Sequence, residues 1–384
     1  MRDASCSNRQ VKWMIYADNA ATTKLDADAF EAMKPYLMEE YGNASQPYFF
    51  AKPVKNAIAA ARESIAECIG ADPEEIYFTS GGTESDNWAI KSVLFCSGKW
   101  KVVTSQIEHH AVLNACHSLE ELHVPVEYLP VGNNGIVKPD DLESSLHDDA
   151  ALVSIMLANN EIGTIEPIQE LCNIAHAHDA LFHTDAVQAV GHISIDVKSL
   201  GVDMLSASAH KFNGMKGSGF LYIRKGIDIH PFSDGGSQER GKRAGTENVA
   251  AIVAMAAALK KNCERMEESA LRLHRIEERF LKNLTAANLD YIRNGNSAHL
   301  PGSINISIKG ADGEMLLHRL DLKGICISTG SACDSVNIQV SHVIKAIGVP
   351  EEYAKGTIRV SFGAENTEKD ADAIANSLIN VLQL

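Results

Sequence analysis

The chain has 384 residues, 45% hydrophobic and 22% charged, with only 11 prolines. This excludes disordered, collagen-like and disulfide-stapled miniprotein classes, and at roughly 150 residues per domain it predicts two to three domains. Fifty acidic residues against 35 Lys and Arg leave a net charge of −15, which excludes a general nucleic-acid or anionic-membrane binder.

The opening MRDASCSNRQ has no apolar leader, and no run approaches the roughly 18–20 apolar residues of a membrane span, so a cytoplasmic location is expected. The cysteines at 6, 68, 96, 116, 172, 263, 326 and 333 contain no C-x-x-C pair. Neither a disulfide framework nor a metal site is indicated.

Val54, Ile58, Ala61, Ile65 and Ile69 recur at helical spacing. From there to about residue 225, short β-branched runs alternate with helical patterns: Ile76–Thr79, Lys101–Ser105, Leu152–Leu157, Leu181–Thr184, Met204–Ala207 and Gly219–Arg224. That alternation predicts a large α/β unit with a mainly parallel sheet. Ala250 to about Ala286 lacks Pro and Gly and predicts a long connecting helix. Strand-like Ser303–Ile308, Ile325–Ser328 and Thr357–Phe362 follow, then a final helix over Glu368–Leu382. These predict a smaller α/β unit.

Ser80-Gly-Gly-Thr-Glu-Ser85 follows a strand and opens a helix, so its free N–H groups and hydroxyls suit a phosphate. The same residues also fit an ordinary N-capped turn. Gly236 to Lys242 imitates a nucleotide P-loop, but Arg243 stands where the metal-binding hydroxyl belongs and no strand leads in, so an NTPase is rejected. Polar clusters follow four predicted strands: Glu108-His109-His110, Asn159-Asn160-Glu161, His183 to Gln188 and Ser206 to Lys211. Ligands of open α/β sheets bind beyond the carboxyl ends of the strands. Asp185 and Lys211 there supply the carboxylate and amine that pyridoxal phosphate needs, for its ring nitrogen and for a Schiff base. His109 is placed to stack on such a ring and exchange protons.

Together with these, Tyr16-Ala-Asp-Asn-Ala-Ala-Thr-Thr23, Asn159-Asn-Glu-Ile-Gly163, Ala209-His-Lys-Phe-Asn-Gly214, Arg243-Ala-Gly-Thr-Glu-Asn248 and Ser328-Thr-Gly-Ser-Ala-Cys333 give a sequence that resembles the NifS/IscS-type cysteine desulfurases. The resemblance implies fold type I of the pyridoxal-phosphate enzymes. A large domain over residues 15–262 would hold a mainly parallel seven-stranded sheet, and residues 1–14 and 263–384 would form a smaller α/β domain. It implies that Lys211 binds the cofactor covalently, Asp185 pairs with the ring nitrogen, Gln188 bonds the ring's 3-oxygen and His109 stacks and serves as acid/base. Gly82, Thr83, Ser208 and His210 would hold the phosphate, with Thr246 reaching in from the other subunit of a homodimer.

Asn160 and Arg359 would face the substrate, Arg359 as a clamp on its carboxylate. Cys333 would take the sulfur of L-cysteine as a persulfide and pass it to an acceptor protein, for iron–sulfur assembly, tRNA thiolation or DNA phosphorothioation, leaving L-alanine. Thr329-Gly-Ser-Ala before Cys333 and Asp334-Ser-Val-Asn after it predict an exposed, flexible loop, whereas Cys68, Cys116, Cys172 and Cys263 fall on helical patterns and Cys326 on a strand.

The sequence departs from the family pattern at Asp334, at Gln339-Val340-Ser341 and at Gln46-Pro47-Tyr48, which bears on acceptor docking more than on catalysis. Two other readings stand beside this one: a selenocysteine lyase or other fold-type I enzyme, and an inactive scaffold for a sulfur-transfer partner.

Overall fold

The computed structural model describes residues 14–92, 95, 98–329 and 340–382. Twelve strands in chain order are β1 (Ile15–Tyr16), β2 (Ile76–Thr79), β3 (Lys101–Ser105), β4 (Val126–Leu129), β5 (Ala150–Ser154), β6 (Leu181–Asp185), β7 (Met204–Ser208), β8 (Gly219–Ile223), β9 (Tyr291–Arg293), β10 (Ser303–Ile308), β11 (Ile325–Cys326) and β12 (Thr357–Ser361). The helices of nine residues or more among the described residues are α1 (Lys52–Ile69), α2 (Gly82–Ser92), α3 (His110–Glu120), α4 (Ile168–Ala177), α5 (Val249–Glu264), α6 (Met266–Ala286), α7 (Gly313–Asp321) and α8 (Glu368–Leu382).

Seven strands form one sheet in the order β2-β8-β7-β6-β5-β3-β4, with β8 antiparallel to both neighbours and every other pair parallel. This is the mainly parallel sheet that the strand-helix alternation predicts. Successive residues of a strand face opposite sides, and here both sides are apolar. Val103, Val153, Leu205 and Phe220 pack with α1, α4 and α5, while Val102, Leu152, Met204 and Leu221 pack with α2 and α3. A sheet covered on both faces exposes only its strand ends, so its chemistry gathers there.

A second core joins α6, α7 and α8 to the antiparallel sheet β12-β10-β9. The short strand β1 pairs in parallel with β11, and Ala17 belongs to this second core. The long helix expected from Ala250 to Ala286 is two helices, because Arg265 takes φ −109° and ψ 10° between α5 and α6. The cause is a change of partner. The alanine-rich face of α5 packs in the first core and the Leu273, Ile276, Phe280 and Leu284 stripe of α6 packs in the second.

Candidate active site

The four polar clusters fall at or just beyond the carboxyl ends of β3, β5, β6 and β7, which are consecutive neighbours in the sheet. Asp185 closes β6 opposite Ser206 of β7, and Lys211 lies three residues past the end of β7. Asp185 is buried and its Oδ1 accepts the Val187 N–H at 2.9 Å. Burial pushes its pKa up to about 6, against the opposing pull of that hydrogen bond and of Lys211. Lys211 Nζ donates to the carbonyls of Ala20 and Ala21, at 2.5 and 2.9 Å, and Gln188 Nε2 donates to the same Ala20 carbonyl at 2.9 Å. The turn after β1 therefore closes over the lysine.

Gly82, Thr83, Ser208 and His210 line one open pocket together with Thr22 and Lys216. The N-terminus of the 11-residue α2 opens here, so N–H groups without helical partners meet the Ser208 hydroxyl in an anion cradle. The glycines are required by contact. A Cβ on Gly82 would stand 2.5 Å from a Val187 methyl, and one on Gly219 would stand 2.4 Å from the Ala207 carbonyl and 2.7 Å from Gly81 Cα. His210 Nδ1 lies 3.1 Å from the Thr22 hydroxyl, and burial first, then Lys211 and Lys216, lower its pKa to about 4.

His109 caps α3, with Nδ1 accepting the Ala111 N–H at 3.1 Å. That bond fixes the tautomer and leaves the proton on Nε2. Burial, then the charge of Lys211, lower its pKa to about 4, so the ring is neutral near pH 7. Arg359, 2% exposed, pairs with Asp18 at 2.7 Å and donates to the Asn160 carbonyl at 2.8 Å. Its Nε is buried without a hydrogen-bond partner, an open donor of the kind that a carboxylate fills.

Thr246 is exposed and is not among the side chains lining the cradle. Cys333 and Asp334 lie outside the described residues. Cys68, Cys116, Cys172 and Cys263 are in helices as expected, and Cys326 is in β11. Burial raises the thiols of Cys116 and Cys172 to about 12 and that of Cys326 upward, while Cys68 is raised first by its hydrogen bond to Cys263. These four are held as thiols, poor nucleophiles.

Sequence reasoning assigned no role to Asp18, Asp86 or Glu108. Asp86 sits fully inside α2, where burial and then the charge of Asp185 raise its pKa well above normal. His183 lies beside it at 3.7 Å, between the hydroxyls of Ser154 and Ser206 at 2.9 Å each, and burial lowers its pKa to about 3. Burial thus disfavours the charged form of both Asp86 and His183. The available signal was spacing: Asp86 stands three and four residues before buried Ala89 and Ile90, a polar residue on an apolar stripe.

A mainly parallel sheet with amine and carboxylate on adjacent strand ends beside a helix-start anion cradle is the frame of a fold-type I enzyme. The aminotransferase class-V family model matches residues 15–374, and the chain belongs to that family. The chain is 50% identical over 376 residues to the cysteine desulfurase IscS of Dictyoglomus turgidum, spanning 97% of this chain and 95% of the relative. A solved NifS-like protein superposes with a TM-score of 0.91 at 37% identity, over 97% of this chain and 100% of the other. SspA, solved in complex with cysteine, superposes with a TM-score of 0.80 at 34% identity, over 90% and 98%. These relatives place the chain among the cysteine desulfurases. No helix among the described residues is long and apolar enough to cross a membrane.

Proposed function

We propose that this chain uses pyridoxal 5′-phosphate at the strand ends to take sulfur from L-cysteine, giving L-alanine and a persulfide on Cys333. The observation that carries the reading is the meeting of Lys211, Gln188 and Asp185 at the ends of β6 and β7, next to the Gly82 cradle. The residues present fit the cofactor: the cradle gathers Gly81, Gly82, Thr83, Ser208 and His210 at a helix start, Asp185 is a buried carboxylate facing a lysine charge, and Arg359 keeps an unpaired donor. When bound there, the cofactor supplies a covalent handle for the substrate's amino group and an electron sink for the pair left on Cα.

The residues then divide the work. Gly82, Thr83, Ser208 and His210 bind the phosphate, joined by Thr246 of a second subunit. Asp185 holds a proton at the ring nitrogen. Val187 ties that carboxylate to the cradle, since its N–H binds Asp185 and its side chain packs on Gly82. Arg359 and Asn160 orient the substrate carboxylate, Lys211 Nζ removes the Cα proton, and His109 donates from Nε2. Cys333 attacks the substrate sulfur as thiolate; its S–S bond forms as the substrate C–S bond breaks, and the former Cβ takes a proton to become the alanine methyl. An acceptor protein then receives the outer sulfur. The larger unit runs to about residue 262, and the smaller one carries the Cys333 segment to the cleft.

The test is to supply the purified protein with L-cysteine and a thiol reductant. Alanine and sulfide in equal amounts are expected, with a visible absorption band bleached by borohydride and absent from Lys211→Ala. Cys333→Ser should keep the band and form no persulfide. A Lys211→Ala protein that retains covalent colour after denaturation, or label from cysteine sulfur on Cys333→Ser, overturns the assignment concerned.

A further inference from the structure

Away from the strand ends, α6 carries His274 and Glu277 one turn apart, and the turn after β9 brings His299 against them. His274 Nδ1 stands 3.7 Å from Glu277 Oε2 and His299 Nε2 stands 2.8 Å from Glu277 Oε1. One ligand atom from each residue falls within 4.8 Å of the other two. Zinc–ligand lengths of about 2.0–2.2 Å set tetrahedral donors roughly 3.3–3.6 Å apart, a spacing that the His274–Glu277 pair nearly meets and that the His299–Glu277 pair reaches by opening slightly. Arg293, ending the edge strand β9, reaches into the cluster: its Nη2 pairs with Glu277 Oε1 and lies 2.9 Å from His299 Nε2.

Three cationic or donor groups converge on one carboxylate here. His299 Nδ1 is 2.8 Å from the Ser297 carbonyl, and a carbonyl only accepts, so Nδ1 carries a hydrogen. Nε2 then faces a guanidinium, which only donates, and a carboxylate, which only accepts. Protonated, it donates to Glu277 Oε1 and crowds the guanidinium that shares that oxygen; bare, it offers a lone pair to a cation beside the carboxylate. Glu277 is 3% exposed, and its Oε2 has no hydrogen-bond partner. A divalent cation takes all these lone pairs at once, and an imidazole that donates its far N–H to a backbone carbonyl has the outer-shell support of a metal-bound histidine.

We propose that His274, Glu277 and His299 form a zinc-type metal site with a fourth position open to water, and that Arg293 leaves it on loading. The Arg293 side chain is already 39% exposed. Leu273 beside His274 and Leu300 beside His299 line the cavity that Asn160 and Gln188 also border, so the ion staples together two pieces of one cavity wall.

The experiment is titration of the chelator-stripped holoenzyme with Co²⁺, followed by visible absorption, and with Zn²⁺ against a chromophoric competitor. One metal per chain is expected, with cobalt bands of nitrogen and oxygen ligands and no thiolate charge-transfer band. His274→Ala, altered at a half-exposed position on the helix surface, should bind at least ten-fold more weakly. Arg293→Gln, which removes the competing cation, should bind several-fold more tightly. Failure of the wild type to bind, equal affinity in wild type and His274→Ala, or weaker binding by Arg293→Gln overturns the site.

Discussion

Arg359 is buried with the carboxylate of Asp18 beside its guanidinium. Removing one partner of a buried pair leaves the other charge unpaired, at roughly 3–5 kcal/mol. Asp18→Ala should therefore lower stability by about 3 kcal/mol in urea unfolding, and Asp18→Asn, which keeps an acceptor, by less. Both should raise KM for L-cysteine more than they lower kcat, since the freed guanidinium no longer meets the substrate carboxylate in register. Glu166 makes a different prediction. Its Oε2 accepts the Val137 N–H, its Oε1 is buried with no hydrogen-bond partner, and burial raises its pKa to about 8. Between the unfolded value near 4.5 and about 8, the folded state binds the proton that the unfolded state has lost, so this group costs stability as pH rises through that window. Unfolding midpoints of Glu166→Gln and wild type should run parallel below pH 4.5, and the variant should gain steadily up to pH 8. A constant difference across the range would refute the assignment.

At the scale of elements, the start of α2 and the end of β6 are locked by one contact, Val187 on Gly82. Gly82→Ala forces that methyl aside, at roughly 1–3 kcal/mol for overpacking, and should weaken pyridoxal-phosphate reconstitution at least ten-fold while far-ultraviolet circular dichroism is unchanged. The central strands were legible because they are continuous apolar runs ended by polar residues, and the functional clusters because they follow those runs. β4 was not, since Val126, Glu127 and Tyr128 are only half-buried at the sheet edge and no apolar run announces them. The break at Arg265 was equally silent. No Pro or Gly marks it, and the bend exists only because two cores claim successive helices. Asp18 lay inside a quoted motif, but its partner Arg359 is 341 residues away, a pairing that local pattern cannot reveal.

For the molecule as a whole, an apolar surface needs a covering. Leu37, Met38, Tyr41, Tyr48, Phe49 and Phe50 are exposed within one 14-residue stretch, with Phe49 at 85% and Met38 at 80%. Contiguous apolar patches of this kind mark association surfaces, in keeping with the proposed homodimer. Sedimentation equilibrium should give twice the mass of one 41.6 kDa chain, and Phe49→Glu should shift it toward monomer with loss of bound cofactor. A fully active monomer would remove both the dimer and the role of Thr246.

The pairing of β1 with β11 and of Asp18 with Arg359 also sets a timetable. A ribosome delivers residues 15–23 long before their strand partner at Ile325 and their ion-pair partner at Arg359. The seven-stranded sheet can form while synthesis continues, and the turn that receives the Lys211 amine can dock on Gln188 and His210, but β1 lacks its strand partner until Ile325 has emerged and Asp18 lacks its ion-pair partner until Arg359 has. Sequence separation this large also slows folding in the released chain. The substrate side of the lysine pocket is therefore completed late, and a nascent chain cannot assemble its whole reactive centre before Ile325 and Arg359 have been synthesised.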